Sequence, residues 1–476
     1  MRTIQSLLLI ILFSSNIFSQ KVLTLDESLA IALGESYSIK SAKYNLESSS
    51  KNLEAIKLGL RTSIDLQFDL PSYQRSLVSQ FNTATGNEEF YKVGNTTIEG
   101  RLFVTQPLLF SNGTVSIVGK MLGRDQFNDF SGTTRDYFSN LSIQLRQPLF
   151  VFNNQKANLE RAEIRLKKTE RNYNQTEREI IFNVTTKFFR LYQAKKNVEI
   201  AKNEVTQTEE TYRTAVNKYK AGLIPEVESL QLEVDFATSQ NELLRTEQTF
   251  AELLNEFKFL IGLELSEVID VKADIEFSDV YVDLDEAIEH ALEARAELLN
   301  SESDIELNEM NIDEIDARRT IRVDLFANYG INKNDEKFKY IFRDFQDSRS
   351  VVMSMSVPIL DWGQNSRNVE AAVANYKNSV LAYNNLKESI KNEIISSYNR
   401  VNSSQKRVEV LSKTVEIAEK SYEQNLERFR SGNITSFELS QEQLRLTKAK
   451  SNSLNALIDY KIALADLERK SYLKYN

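Results

Sequence analysis

A chain of 476 residues with 41% hydrophobic content carries enough apolar material for a sizeable core. Its formal charge of −9 provides no basic stripe for a phosphate backbone, so no nucleic-acid partner is expected. The absence of cysteine excludes disulfides, thiolate metal sites and a lipidated N-terminal cysteine.

Residues 1–20, MRTIQSLLLIILFSSNIFSQ, carry one Arg, an apolar run from Leu7 to Phe13 and a small polar end. The run is far short of the ~20 residues of a bilayer helix, so it reads as a cleaved export signal. No later segment is long and apolar enough to span a membrane as a helix. That leaves an exported soluble protein or an outer-membrane β-barrel.

The first structural repeat is expected over 21–262. It opens with an amphipathic helix from Leu23, with Asp26 and Glu27 placed to suit the helix dipole. SIDLQFDL, 63–70, then alternates Ile64, Leu66, Phe68 and Leu70 with polar residues, as a half-buried strand does. A long insert, 71–139, contains RLFVTQPLLFSNG, and its TQPLLF resembles the later RQPLF. A barrel hairpin, an external loop and a plug all remain open for this insert; its polar, glycine-dotted flanks favour a surface loop with its own hairpin. A second strand, 140–149, leads through Phe150 and Phe152 into a long helix, 153–220. Gly222 supplies a left-handed cap and Pro225 starts a return helix, 225–262.

A connector, 263–282, precedes a second repeat, 283–472. There the helix from Val282, strands 321–330 and 350–358, long helix 363–430, Gly432 and return helix 436–471 follow in the same order. At an offset of 210 residues Pro148 matches Pro358, Asn158 matches Asn368, Glu160 matches Glu370 and Ala162 matches Ala372. The seams Val198, Ala201, Val205, Thr208, Tyr212, Ala215, Tyr219 and Val408, Leu411, Val415, Ala418, Tyr422, Asn425, Phe429 advance by three and four, a coiled-coil pattern. Each long helix would span about 100 Å and each return helix about 55 Å, so the repeat-opening helices must cover the remainder.

Four such strands cannot close in lipid, where an open edge leaves backbone groups unsatisfied. Three copies would supply 12. Phe150, Phe152 and Trp362, the only tryptophan, fall where strand hands over to helix and form a candidate membrane-interface belt. Catalysis is not expected: His290 is the sole histidine, and the acidic residues follow helical surface spacing, so no metal site or nucleophile relay is assembled.

The double repeat, the VPILDWG and QPLF junctions and the Tyr/Phe-x-x-Gly tips resemble the TolC-type outer membrane efflux protein family. The resemblance implies a mixed α/β membrane protein. A trimeric 12-stranded barrel in the outer membrane, four strands per chain, would continue into a long periplasmic α-helical barrel. It implies a homotrimer without cofactor or enzymatic activity, docking a periplasmic adaptor and an inner-membrane transporter of the resistance-nodulation-division or ATP-driven type. Tyr219, Gly222, Leu223 and Ile224, with Phe429, Gly432, Asn433 and Ile434, would be the adaptor-contacting tips. Glu438 would form an acidic gate ring; Gln441 stands where the family has its next acid, and Arg430 is the candidate gating contact. Glu228, at the position matching Glu438, is expected to face outward or toward the adaptor. Efflux is the leading expectation, a type I protein-secretion exit channel its alternative within the family, and an exported soluble coiled-coil tether the alternative outside it.

Overall fold

The computed structural model describes residues 21–129, 132–273 and 275–475. The expected export signal, 1–20, lies outside the described residues. In chain order the elements are β1 (Lys21–Leu23), α1 (Leu25–Glu35), α2 (Tyr37–Gly59), β2 (Ser63–Asn82), β3 (Asn87–Leu108), β4 (Gly113–Asn128), β5 (Gly132–Leu149), α3 (Asn154–Lys220) and α4 (Glu226–Ile261). There follow β6 (Ile269–Val271), α5 (Leu284–Ala294), α6 (Ala296–Asp316), β7 (Arg322–Asp335), β8 (Gln346–Ser356), α7 (Gln364–Arg430) and α8 (Ser436–Ser471). The chain divides into two compact units, Asn45–Glu170 with Asn300–Asn384, and the remainder.

The first unit carries one antiparallel sheet of six strands in the order β2-β3-β4-β5-β7-β8. This corrects the expectation of four strands per chain. The insert folds into the sheet: it lengthens β2 to Asn82 and adds β3 and β4 between β2 and β5, with β3 paired to β2 from Asn87 to Thr105 across a shift between Asp69 and Ser72, and to β4 from Val93 onward. Glycine interrupts the alternation that would have revealed these strands, since Gly100, Gly119 and Gly123 occupy positions where a side chain is expected on the apolar face. Neighbours fill the space instead. A Cβ at Gly100 would lie 3.1 Å from the Phe68 ring, and one at Gly123 would lie 3.2 Å from Ile98 and 3.3 Å from the Tyr137 ring.

Direct cross-strand partners share a face. One face therefore runs through Ile64 and Leu66, Val104 and Leu102, Ile117, Ile143 and Leu141, Ala327 and Tyr329, and Val351 and Met353. The opposite face is charged and hydroxylic. On it Arg101 pairs with Asp69 (2.6 Å) and with Glu99, Lys120 also reaches Glu99 (3.1 Å), and Arg124 pairs with Asp136 (2.8 Å). Helical segments of this unit are tied by Lys57–Glu163 (3.3 Å), Arg161–Glu314 (2.6 Å) and Asn308 donating to Ser379 (2.7 Å).

The long helices α3 and α7 have 67 residues each and are divided between the two units, whereas α4 and α8, of 36 residues each, lie in the second. The repeat-opening helices are not continuous. Each is divided after 11 residues, at Ser36 and at Arg295, where the backbone turns extended. Ser36 Oγ accepts from the Ile39 amide, giving α2 its cap, and Arg295 is buried between Glu297 (3.0 Å) and Glu393 (2.8 Å). The core gathers Leu23, Ile180, Val184, Phe188, Phe257, Ile261 and Val271. Within the connector, β6 pairs in parallel with β1. Gly262 ends α4 at φ 82°, and a Cβ there would lie 2.5 Å from the Glu35 carbonyl oxygen, so this approach requires glycine. His290 Nδ1 lies 2.9 Å from the Ser471 carbonyl oxygen, an interaction that holds α5 against the end of α8.

Candidate functional site: hairpin tips and sheet rim

Both long helices end in the same turn. At the first, the Gly222 amide donates to Tyr219 O (2.8 Å) and the Leu223 amide to Lys218 O (2.9 Å); at the second, Gly432 donates to Phe429 O (3.0 Å) and Asn433 to Arg428 O (2.8 Å). These are Schellman caps, and φ values of 72° and 80° explain the glycines. Nothing lies within 4 Å of a Cβ built at either glycine, so the tips present open backbone.

The return helices begin differently. Pro225 precedes α4 without a side-chain cap, whereas Thr435 and Glu438 form a capping box on α8. Glu438 Oε2 accepts from the Thr435 amide (2.8 Å) and hydroxyl (3.0 Å), and Thr435 Oγ1 accepts from the Glu438 amide (3.3 Å). Those backbone and hydroxyl donors hold the Glu438 carboxyl below the usual glutamate range. Thr-x-x-Glu before a helix was the available sequence signal for this role. Gln441 is exposed one turn on, and the adjacent Glu442 accepts from Ser421 Oγ (2.9 Å).

Contacts between the two tips join residues some 200 positions apart. Lys218 Nζ donates to Phe429 O (2.8 Å) and stands 4.2 Å from the centre of the Phe429 ring. Ser436 Oγ donates to Glu228 (3.1 Å), and Arg430 bridges Glu427 (2.9 Å) and Glu210 (3.4 Å). Glu228 therefore belongs to the contact between tips. Lys218, Leu223, Glu228, Arg430, Ile434 and Glu438 help line a cleft of about 540 Å³ between them. Phe429 is 4% exposed and packs with Tyr422, Leu439 and Ile434, whereas Tyr219 is 40% and Leu223 72% exposed. Ile224 and Ile434 are half-buried; Asn433 is exposed, its side-chain amide donating to Ser431 Oγ (3.1 Å).

At the helix-side rim of the sheet Phe150 and Trp362 are exposed, Trp362 at 91%, while Phe152 is half-buried. Phe150 and Trp362 have φ values of 59° and 52°, conformations that cost a non-glycine residue about 1 kcal/mol. Both turns are pinned. Thr320 Oγ1 donates to Phe150 O (3.0 Å), and Asp361 accepts from the amides of Gly363 (2.9 Å) and Asn365 (3.1 Å). The β3–β4 turn adds an aromatic that sequence reasoning missed, Phe110, also exposed. The TQP and RQP triplets work alike: Gln106 donates to Leu60 O (3.0 Å) and Gln147 to Ser111 O (2.7 Å), each fastening its strand to the turn or helix end beside it.

The family model described as outer membrane efflux protein matches residues 118–263 and 287–470. Its first segment begins within β4 and leaves out β2 and β3. No curated protein matches. Among solved structures, the Campylobacter jejuni CmeC outer membrane channel is 14% identical, with a TM-score of 0.70 over 94% of this chain and 85% of that one. The outer membrane protein VceC of Vibrio cholerae is 15% identical, with a TM-score of 0.68 over 94% and 96%. The open-state MtrE outer membrane channel of Neisseria gonorrhoeae is 16% identical, with a TM-score of 0.66 over 94% and 88%. The family model covers more than half of the chain and leads to one conclusion: the chain belongs to the outer membrane efflux protein family, transport proteins of the outer membrane, and is not an enzyme.

Proposed function

We propose that three copies of this chain form a channel-tunnel that carries substrates out of the periplasm, with the sheets spanning the outer membrane and the hairpin tips meeting a periplasmic adaptor coupled to an inner-membrane transporter. The observation that carries this reading is the sheet itself. Among the described residues no helix is long and apolar enough to cross a membrane, whereas one sheet face is apolar and edged at the helix side by Phe110, Phe150 and Trp362. An open sheet in lipid needs partners along both edges. The apolar face and the family membership weigh against a soluble tether.

At the tips, exposed Tyr219, Gly222, Leu223, Gly432 and Asn433 are the proposed adaptor contacts. Arg430, bridging Glu210 and Glu427, is the proposed latch, and Glu438 the proposed acidic ring. Glu438→Gln tests the ring cleanly, because glutamine can keep the capping box while losing the charge. In planar bilayers the variant is expected to lose cation preference relative to the wild type. Unchanged selectivity would remove Glu438 from the gate and leave it as a cap.

A further inference from the structure

We infer that the barrel of this protein has 18 strands, six from each of three copies, closed by β8 of one copy pairing with β2 of the next. The inference rests on the trimeric channel reading and extends it.

The register supplies the geometry. Starting at Ser63, successive cross-strand partners are Thr105, Ser116, Gln144, Asn328 and Ser350. Yet β8 does not end at Ser350 but runs on to Ser356, six residues further toward the helix side. The helix-side margin thus falls about 20 Å along the strands while crossing about 24 Å of sheet, a slope of about 40°. Membrane barrels tilt their strands by about 35–45°, so this margin becomes level when the sheet takes the tilt of a barrel wall. The rim aromatics mark that margin independently: Phe110 follows β3, Phe150 follows β5 and Trp362 follows β8.

Levelling the margin also matches the two free edges. Rising from it, β8 presents Met355, Met353 and Val351 on the apolar face, and β2 presents Ile64, Leu66 and Phe68; all six are exposed. The intervening residues are polar on both edges at the outset, Ser356 and Ser354 against Ser63 and Asp65. Pairing the edges continues the apolar band outward and the polar row inward across the seam. The 11 residues of β8 then cover only the first half of the 20-residue β2, so the end of the β2–β3 hairpin projects beyond the seam.

The added strands have consequences for the lumen. With strands about 4.8 Å apart and tilted about 40°, a wall of 18 strands has a backbone radius of about 18 Å, against about 12 Å for 12 strands. The widening brings Arg101, Lys120 and Arg124 to the inner face, each paired with carboxylates there.

The test uses the full-length protein, which lacks native cysteine. Leu66→Cys is combined in turn with Val351→Cys, Met353→Cys and Met355→Cys, oxidised in outer membranes and run without reductant; the wild-type trimer is imaged in nanodiscs by electron cryo-microscopy. The expected result is covalent trimer from at least one pair and an 18-stranded wall containing residues 87–128. A trimer with 12 strands and these residues outside the wall overturns the inference while leaving the channel reading intact. A trimer in which none of the pairs cross-links overturns the β2–β8 seam. A protein that is not a trimer overturns both.

Discussion

The two hairpin tips share one backbone turn and use it differently. Tyr219 and Phe429 occupy matching positions, each three residues before its glycine, yet Tyr219 is exposed while Phe429 is sealed by Tyr422, Leu439 and the Lys218 ammonium. The first return helix starts from a bare proline; the second starts from a capping box. Equal backbone geometry has thus been given unequal side-chain duties: the aromatic of the first tip is free for contact, and that of the second is buried.

Truncating the matched aromatics should separate these duties. Phe429→Ala removes a buried ring and is expected to destabilise the second hairpin by about 3 kcal/mol, seen as faster amide exchange near the tip. Tyr219→Ala should leave exchange nearly unchanged and lower adaptor-dependent export instead. Equal destabilisation by both would erase the distinction.

The glycines come next in size. A Cβ at Gly222 or Gly432 meets nothing within 4 Å, and Gly222→Phe and Gly432→Phe are expected to cost about 1–2 kcal/mol for the left-handed backbone. Export should fall while the oligomer seen by native electrophoresis persists. Loss of the oligomer would assign the glycines to folding alone.

Thr435→Ala should have the smallest effect, about 1 kcal/mol, and Pro225 offers no equivalent cap to lose. Acid should act in the same place. Because folding lowers the Glu438 pKa, its contribution is present above the unfolded glutamate pKa and is lost as pH falls through the folded value. Exchange at the start of α8 should therefore accelerate on acidification below about pH 4 more than exchange at the start of α4. Parallel acid responses would show that the capping box carries no weight.

Much of the helical architecture was legible from residue spacing. The three-and-four seam, Gly222 and Gly432 mark helix length and helix end because coiled-coil periodicity and left-handed caps have few alternative causes. The strands were legible only where side chains alternate without interruption. In β3 and β4 the apolar face is supplied partly by Phe68 and Tyr137 reaching over glycines, so the pattern exists only after the strands pair. The tip contacts were hidden for a similar reason. Lys218 meets Phe429 and Glu228 meets Ser436 only once two distant hairpins lie side by side.

The central claim is that this chain works as a membrane trimer, and native mass spectrometry of protein extracted from outer membranes in detergent tests it most directly. The account predicts three chains in one detergent-dependent particle, because only neighbouring copies can satisfy the free edges of β2 and β8. A monomer or dimer stable in plain buffer would contradict it.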